Sequence, residues 1–581
     1  MHSKISLINK GLLKQMWNSS GWMILIYQTF LLWFMPVLFT INVLSALDSI
    51  NVSTEGYIAD ETMKELAFYA VNHTLLWICF TAASIGIAIL LFRFLMSKAA
   101  SEFMHALPIT RKAIYWHHLL FGLAALLIPI FITTIVFTIA VYMLDVNQWV
   151  SLTWIFGWML QVSAYTILLF AVGVAAAMLT GTSVMQGLVA YGVLLAPAFI
   201  AYTIQEWLRA VIIGMPQYGG TSDFALSSLS PIIAFPERIG YAFEVTASDL
   251  YHAQNSTYYQ IEMYVYMGLA AILIGASYLL YQKRKVESAT STITFTFVHP
   301  IFKFALILIG MSFSGLYMAF YIPGQLSIFG AIPGAIFGYL IAEVFLKKTW
   351  RIPFHWKDAA TYIAILVAIV GISKLLIPLY EDKIPALDDI ESIEYSDYHL
   401  HAWSESDDST TLLAEPESIA TIHKLHEGII ANKYPIKRYT PEITIHYHLK
   451  NGDILKREYY LSIDDIDQLK TTHLSEYKER IINEFKTIAT KASTVRFYHE
   501  EINIKDTEQV DSFTAVILKD IKENNFPSSE SFYDDTPLTF ELTSEPYNDW
   551  WWWSPGITKE MVHTLNWLEE NGYEELAKLA M

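Results

Sequence analysis

The sequence has almost no cysteine: Cys79 is the only one in 581 residues. No disulfide can form within the chain, and no cysteine cluster can hold zinc or iron and sulfur. Charge is scarce too. Only 16% of residues are Asp, Glu, Lys or Arg, where a soluble domain usually carries about 25%. Three motifs are also missing: a Gly-x-x-x-x-Gly-Lys-Ser/Thr phosphate loop, a Gly-x-Ser-x-Gly nucleophile turn and the glycine spacing of an EF-hand. Any ATP hydrolysis must therefore come from another chain, and no catalytic residue or metal site is expected in this one. What the sequence has in surplus is apolar surface, with 54% hydrophobic residues and a mean hydropathy of +0.35.

The charge that exists is unevenly placed. Residues 386–581 carry 38 acidic and 18 basic side chains, a net of −20, against −18 for the whole chain, so residues 1–385 are close to neutral. A tail this acidic repels nucleic acid and anionic lipid, and no nucleic-acid partner is expected.

Long apolar runs fill the first two thirds. Lys4, Lys10 and Lys14 precede a run from Gly21 to about Leu47, far longer than a cleavable signal segment, so it reads as an anchor. Spans of about 20 apolar residues are expected at roughly 21–46, 70–92, 119–143, 154–179, 184–204, 261–281, 304–321, 326–346 and 359–379. Basic flanks recur on alternate sides: Lys4/Lys10/Lys14, Arg93/Lys98/Arg111/Lys112, Lys283/Arg284/Lys285 and Lys347/Lys348/Arg351/Lys357. By the positive-inside rule the N-terminus is cytoplasmic and the tail lies on the far side. The expected fold class is an α-helical polytopic membrane protein of about nine spans, followed by a soluble α+β domain over 384–581. The chain would sit in the cell membrane, with the lipid bilayer as a partner.

Several residues inside these runs invite explanation. Gln161 and Tyr165 are four apart on one helix face, where they either line a polar path or hydrogen-bond between helices. Glu343 stands one turn before Lys347 and reads as a helical ion pair. Gly330, Gly334 and Gly338 form a small-residue row that lets a helix approach closely, within the chain or between copies. The stretch 205–260 holds apolar pieces too short to cross, from Trp207 to Gly214 and from Ile232 to Pro236. These read as re-entrant or interfacial segments on the outer side.

The loop between the second and third runs reads Ser101-Glu102-Phe103-Met104-His105-Ala106-Leu107-Pro108-Ile109-Thr110-Arg111-Lys112. Phe103, Ala106 and Leu107 share a helical face until Pro108 interrupts it, and Thr110 is placed to cap the next helix. Such a basic amphipathic protrusion either docks on a partner or lies on the lipid headgroups. Leu-Pro-Ile-Thr-Arg-Lys between the second and third of six spans resembles the coupling-helix loop of ABC-2-type permeases of Gram-positive bacteria, of the kind linked to envelope stress and antibiotic peptides. The basic stop Tyr278-Leu-Leu-Tyr-Gln-Lys-Arg-Lys-Val-Glu-Ser288 resembles that family's usual ending. The resemblance covers about 1–290, as a six-span core. It leaves 291–383 as three additional spans and 384–581 as an extracytoplasmic extension.

The resemblance implies the permease subunit of an ATP-driven exporter or defence transporter, with no cofactor in this chain and ATP–Mg on a partner. That partner is a cytoplasmic ABC ATPase docking on Glu102, Phe103, His105, Leu107, Pro108, Arg111 and Lys112, with a second permease copy or a homologous permease completing the assembly. A membrane-anchored sensor, whose outer domain binds a ligand without transport, is the alternative.

In the tail, alternating runs flank Lys450-Asn451-Gly452-Asp453, a hairpin signature. Helices are expected at about 416–431, 463–490 and 505–524, and from Ser554-Pro555 to just before Gly572. His446 and His448 share a strand face as a surface pair or a metal site, and His423-x-x-His426 lacks the second histidine of a zinc helix. The run Trp550-Trp551-Trp552-Trp553 either meets the membrane interface or divides between core and surface of the domain.

Overall fold

A computed structural model of the chain describes residues 9–50, 73–148, 150–216, 228–238, 250–321, 329–349, 356–396, 411–432, 442–460, 475–497, 502–523, 540–543 and 561–580, with a few single positions between them. The chain divides into two compact units. The first holds 1–204, 218–315 and 331–354; the second holds 205–217, 316–330 and 355–581.

Seven helical stretches among the described residues are long and apolar enough to cross a membrane. They are Lys10–Ala46, Thr74–Met96, Arg111–Met143, Leu152–Leu179, Ser183–Arg209, Met263–Lys283 and Thr296–Ala319, and each coincides with one of the first seven expected spans. In helical terms the first unit is built from α1 (Lys10–Leu32), α2 (Leu38–Ile50), α3 (Thr74–Phe92), α4 (Lys98–Ala106), α5 (Arg111–Met143), α6 (Leu152–Leu179) and α7 (Ser183–Val211). It continues through α8 (Pro231–Arg238), α9 (Leu250–Lys283), α10 (His299–Tyr321) and α11 (Ala331–Lys347), while α7 and α10 each run on into the second unit. A five-residue π segment at Trp33–Val37 carries Pro36 and joins α1 to α2, since a proline inside a helix displaces the regular bonds.

Helix α6 is the centre of the unit. It is apolar all round, and it packs against α3, α5 and α9. A helix without a polar face can be satisfied only by burial on every side or by lipid. The outward faces of α1, α5 and α9 carry the exposed apolar residues instead, among them Trp22, Ile128, Phe131 and Ile272.

One expectation needs correction here. The outer segment does not start at 205, because α7 continues to Val211, with Arg209 paired to Glu206 at 3.1 Å across one helical turn. Helix α9 reaches back to Leu250, and its portion apolar enough to cross a membrane, Met263–Lys283, coincides with the span expected at 261–281.

The glycine row resolves as packing within the chain. Gly330 precedes α11, and Gly334 and Gly338 form the contact face. A Cβ on Gly334 would stand 2.0 Å from the Gly310 carbonyl oxygen of α10, and one on Gly338 would stand 2.3 Å from that of Leu306. Both are far inside contact distance, so only glycine allows the two backbones to touch. The pair is reinforced by Glu343, whose buried carboxylate bridges Lys347 at 2.7 Å and Lys303 of α10. The expected pair is thus one half of a three-membered bridge.

In the second unit, α12 (Trp356–Glu381) is followed by two antiparallel sheets. The first contains β1 (Ile390–Ser396), β2 (Thr411–Leu413), β3 (Glu442–Leu449) and β4 (Ile454–Tyr460), in the order β2-β1-β3-β4. The second contains β5 (Thr494–Phe497), β6 (Ile502–Ile504) and β7 (Phe540–Thr543), in the order β6-β5-β7. The hairpin turns where expected, with Gly452 at φ +86°. Alternation puts Ile443, Ile445 and Tyr447 on the buried face. Helix α13 (Pro416–Asn432) lays Ile419, Ile422, Leu425 and Ile429 into the same core.

Helix α14 (Ser475–Lys491) occupies the described part of the helix expected at 463–490, and 461–474 lie outside the described residues. Asp506 caps α15 (Thr507–Lys522) by accepting from Gln509 N at 3.0 Å. The last expected helix starts later, as α16 (Val562–Glu570), and stops before Gly572 (φ +86°) as expected, with a further helix, α17 (Glu574–Ala580), after it. The start of α16 is fixed not by Pro555 but by buried Asp520, which accepts from Thr564 N and Oγ1 at 2.7 Å each and from His563 N at 3.1 Å. A carboxylate there meets the free N–H groups of the first turn. The four-tryptophan run, Trp550 to Trp553, lies outside the described residues.

His426 on α13 is a core residue of this domain. Its ring lies between two phenols, with Tyr447 Oη 2.9 Å from Nδ1 and Tyr459 Oη 2.5 Å from Nε2. Burial, assisted by the Arg457 cation, holds its pKa down to about 3. The folded ring is therefore neutral where an unfolded one would protonate. The stability that follows is complete above pH 6.5 and is lost progressively as pH falls toward 3, at up to about 1.4 kcal/mol per pH unit. Comparing the full chain with His426→Gln by hydrogen exchange at β3 between pH 7 and 5 should give a flatter decline for the variant; parallel declines would refute this assignment. Independently, Gly334→Leu should open the α10–α11 pair and abolish amide protection across 331–347, whereas Ile336→Ala on the exposed face leaves it unchanged.

Candidate functional site: the latched loop

The short stretch from Ser97 to Thr110 is the candidate site, and its geometry follows from helix ends. Helix α4 occupies Lys98–Ala106, Leu107 leaves it in extended conformation, and Thr110 caps α5 by accepting from Ala113 N at 3.2 Å. Leu107 is therefore not on the helical face shared by Phe103 and Ala106, because Pro108 forces its predecessor toward extended backbone. Inside α4, Ser101 and Met104 are buried, while Phe103 is 65% exposed.

Helix C-termini leave carbonyl groups without partners and carry partial negative charge. Three such ends converge beside this loop, and arginines satisfy them. Arg284, just past the end of α9, is buried. It donates to the carbonyl of Leu95 at 3.0 Å, to that of Met178 at 3.1 Å and to that of Ala177. It thereby ties the end of the second span to the end of the fourth. Burial lowers its pKa to about 10, which leaves it charged at neutral pH. Arg111 at the start of α5 donates to the carbonyls of Gln282 at 3.3 Å and Arg284 at 3.2 Å.

His105 completes the latch. Its Nδ1 lies 2.7 Å from the Ser101 carbonyl, which can only accept, so Nδ1 carries the proton. Nε2 then accepts from the Tyr281 hydroxyl at 3.2 Å. Burial, together with the Arg111 and Arg284 cations, holds His105 below its usual pKa. Farther along, the chain after Arg284 lies on the turn between α6 and α7. Thr290 N donates to the Gly181 carbonyl and Thr294 N to that of Leu179, both at 2.8 Å. A Cβ on Gly181 would stand 2.5 Å from the Ser288 and Ser291 carbonyl oxygens, so this turn accepts glycine alone.

The seven loop residues thus fall into two sets. Glu102, Phe103, Pro108 and Lys112 are exposed, and His105, Leu107 and Arg111 are half-buried against the helix ends. The residues that do the latching from the other side, Arg284 and Tyr281, were legible only as a basic orientation flank and its tyrosine. The one signal was their spacing of three, which puts both on one face while Lys283 and Lys285 stay exposed.

The other expected residues lie elsewhere. Gln161 and Tyr165 are buried on α6, with the Tyr165 hydroxyl 3.0 Å from Thr81 Oγ1. His446 and His448 both face Glu394, at 3.3 and 3.0 Å. Among the described residues no group of three His, Cys, Asp or Glu side chains is arranged to hold a metal ion. No family model, curated protein or solved structure matches the chain.

Arg284→Gln should strip two helix ends of their shared donor. Each buried carbonyl left alone costs about 1–3 kcal/mol, so the detergent-solubilised chain should melt several degrees lower. Arg284→Lys should recover little of this, because one ammonium cannot reach all three carbonyls. A lysine variant as stable as the parent would contradict the shared-donor geometry.

Proposed function

We propose that this chain is the transmembrane permease subunit of an ATP-driven, ABC-type transporter. It would act in export or in envelope and antibiotic defence, with ATP–Mg bound and hydrolysed by a separate cytoplasmic ABC ATPase. In this reading the chain crosses the membrane nine times, α11 and α12 being the eighth and ninth spans. The N-terminus and the Ser97–Thr110 loop are cytoplasmic, and residues from about 384 onward are extracytoplasmic. The alternation of basic flanks supports that orientation.

The observation that carries the proposal is an exposed apolar side chain on a rigid mount. Phe103 is exposed on a helix whose base is tied to three helix ends through Arg284, Arg111 and His105. A side chain meant only to lie among lipid headgroups needs no such mount. A docking surface that must transmit motion does, because a slack loop would absorb the displacement. Glu102 and Lys112 add charge of both signs around Phe103, as the rim of a protein interface does. The resemblance of Leu107-Pro108-Ile109-Thr110-Arg111-Lys112 to a coupling loop points the same way.

The sensor reading draws on a different contact. Arg457 of β4 is buried, stacks over the Tyr380 ring at 4.2 Å and donates to the Tyr380 carbonyl at 2.9 Å. A change in the first sheet would therefore reach the end of α12 directly, with or without transport.

Co-purification with an ATPase subunit separates the two. Phe103→Ala combined with Lys112→Ala should remove an ATPase that accompanies the parent chain, by at least about tenfold if Phe103 is an interface anchor. The variant's melting temperature should stay unchanged, since neither side chain belongs to the latch. Retention of the ATPase by a stable double variant would overturn the docking assignment.

A further inference from the structure

The membrane-spanning core contains polar atoms that nothing in the protein satisfies. On α6, Trp158 is 1% exposed and Gln161 5% exposed. The Trp158 Nε1 donor and the Gln161 Oε1 acceptor have no hydrogen-bond partner. With Tyr165 they stand at positions i, i+3 and i+7, on one face of the helix. Thr81 and Trp77 of α3 face the same stretch: Thr81 Oγ1 is 3.0 Å from the Tyr165 hydroxyl, and the Trp77 ring centroid is 5.9 Å from that of Tyr165. Unsatisfied polar atoms are rare in protein interiors and costlier still among lipid-embedded helices, so each one asks for an occupant.

A second observation concerns how this stretch is closed. Helix α8, from the connection between α7 and α9, inserts Phe235 onto Tyr165. The two rings are stacked, with centroids 4.5 Å apart and planes 8° apart, and the edge of Trp77 meets Phe235 at 5.5 Å. Phe235 and Ala234 are buried. Tyr165 is thirteen residues into α6, about 20 Å from its first residue at 1.5 Å per residue. A connecting segment therefore reaches deep between spans, and its aromatic tip lies against the end of the row that carries the unpaired atoms.

We propose that the α6 face bearing Trp158, Gln161 and Tyr165 borders a hydrated lane that takes water and small uncharged hydrogen-bonding solutes, and that Phe235 is its closure. Water is the occupant that matches the pair, because it accepts from Nε1 and donates to Oε1. Ions do not fit. Neither α3 nor α6 carries an Asp, Glu, Lys or Arg, so a charge would enter without compensation. The lane does not depend on a partner ATPase.

The test uses the full chain in proteoliposomes, with Cys79→Ala as background and 2-hydroxyethyl methanethiosulfonate as probe. Gln161→Cys should react slowly while Phe235 is present. It should react about tenfold faster with Phe235→Ala, the scale set by losing one stacked ring pair, and at the parent rate with Phe235→Tyr. Ala171→Cys, fully buried on the same helix, should stay slow throughout. Equal rates at Gln161→Cys with and without the ring, or an equal acceleration at Ala171→Cys, would overturn the proposal. Radiolytic footprinting of the unaltered chain gives a check that needs no variant. Bound water should oxidise Trp158 and Tyr165 but spare Tyr115, a fully buried ring on α5 outside that row; silence at all three rings, or equal oxidation of all three, would equally overturn it.

Discussion

One guanidinium holds together the end of the first unit that carries the Ser97–Thr110 loop. A helix that stops beside other helices leaves its last carbonyls without donors, and water is partly excluded where span ends crowd. Arg284 meets that constraint for two spans at once, through Leu95 on one side and Ala177 and Met178 on the other. Its own carbonyl accepts from Arg111, which brings in the third span. The loop helix α4 inherits its rigidity from this arrangement, and the exposed position of Phe103 has meaning only because of it.

The same logic, that polar groups must be answered locally wherever water is scarce, orders the rest of the molecule. Glu343 is buried but bridges two lysines. His426 is buried but neutral and set between two phenols. Asp520 is buried but caps a helix. In each case the desolvated group has partners with matching chemistry. Trp158 Nε1 and Gln161 Oε1 are among the buried polar atoms that depart from this pattern, and the stacked closure beside them gives their departure a direction. Close backbone contact follows a parallel rule. Gly334, Gly338 and Gly181 sit where any side chain would collide with a carbonyl, so geometry rather than flexibility explains them.

How much of this was legible in the sequence depended on the range of the interaction. Periodic or compositional features read well. The seven long helices follow from apolar runs, the 442–460 hairpin from Asn451-Gly452 between alternating residues, and the Thr110 cap from its place ahead of an apolar helix. Boundaries read less well, because helix α7 extends through Glu206 and Arg209, which hydropathy counts as loop. Contacts between distant segments were not legible. Arg284 has the composition of an orientation flank and the role of a structural donor, and only the approach of Leu95 and Ala177 distinguishes them. Phe235 looks like one apolar residue of a short outer segment until Tyr165 is beneath it. Asp520 and Thr564 are 44 residues apart, and no local signal pairs them.

The central claim is that α4 is a rigid, solvent-facing mount and not a pliable loop. Hydrogen exchange of the Lys98–Ala106 amides in the unaltered full chain, reconstituted without any partner, tests it most directly. The account predicts exchange as slow as in the flanking ends of α3 and α5, despite the exposure of Phe103. Exchange at the rate of an open peptide would contradict it.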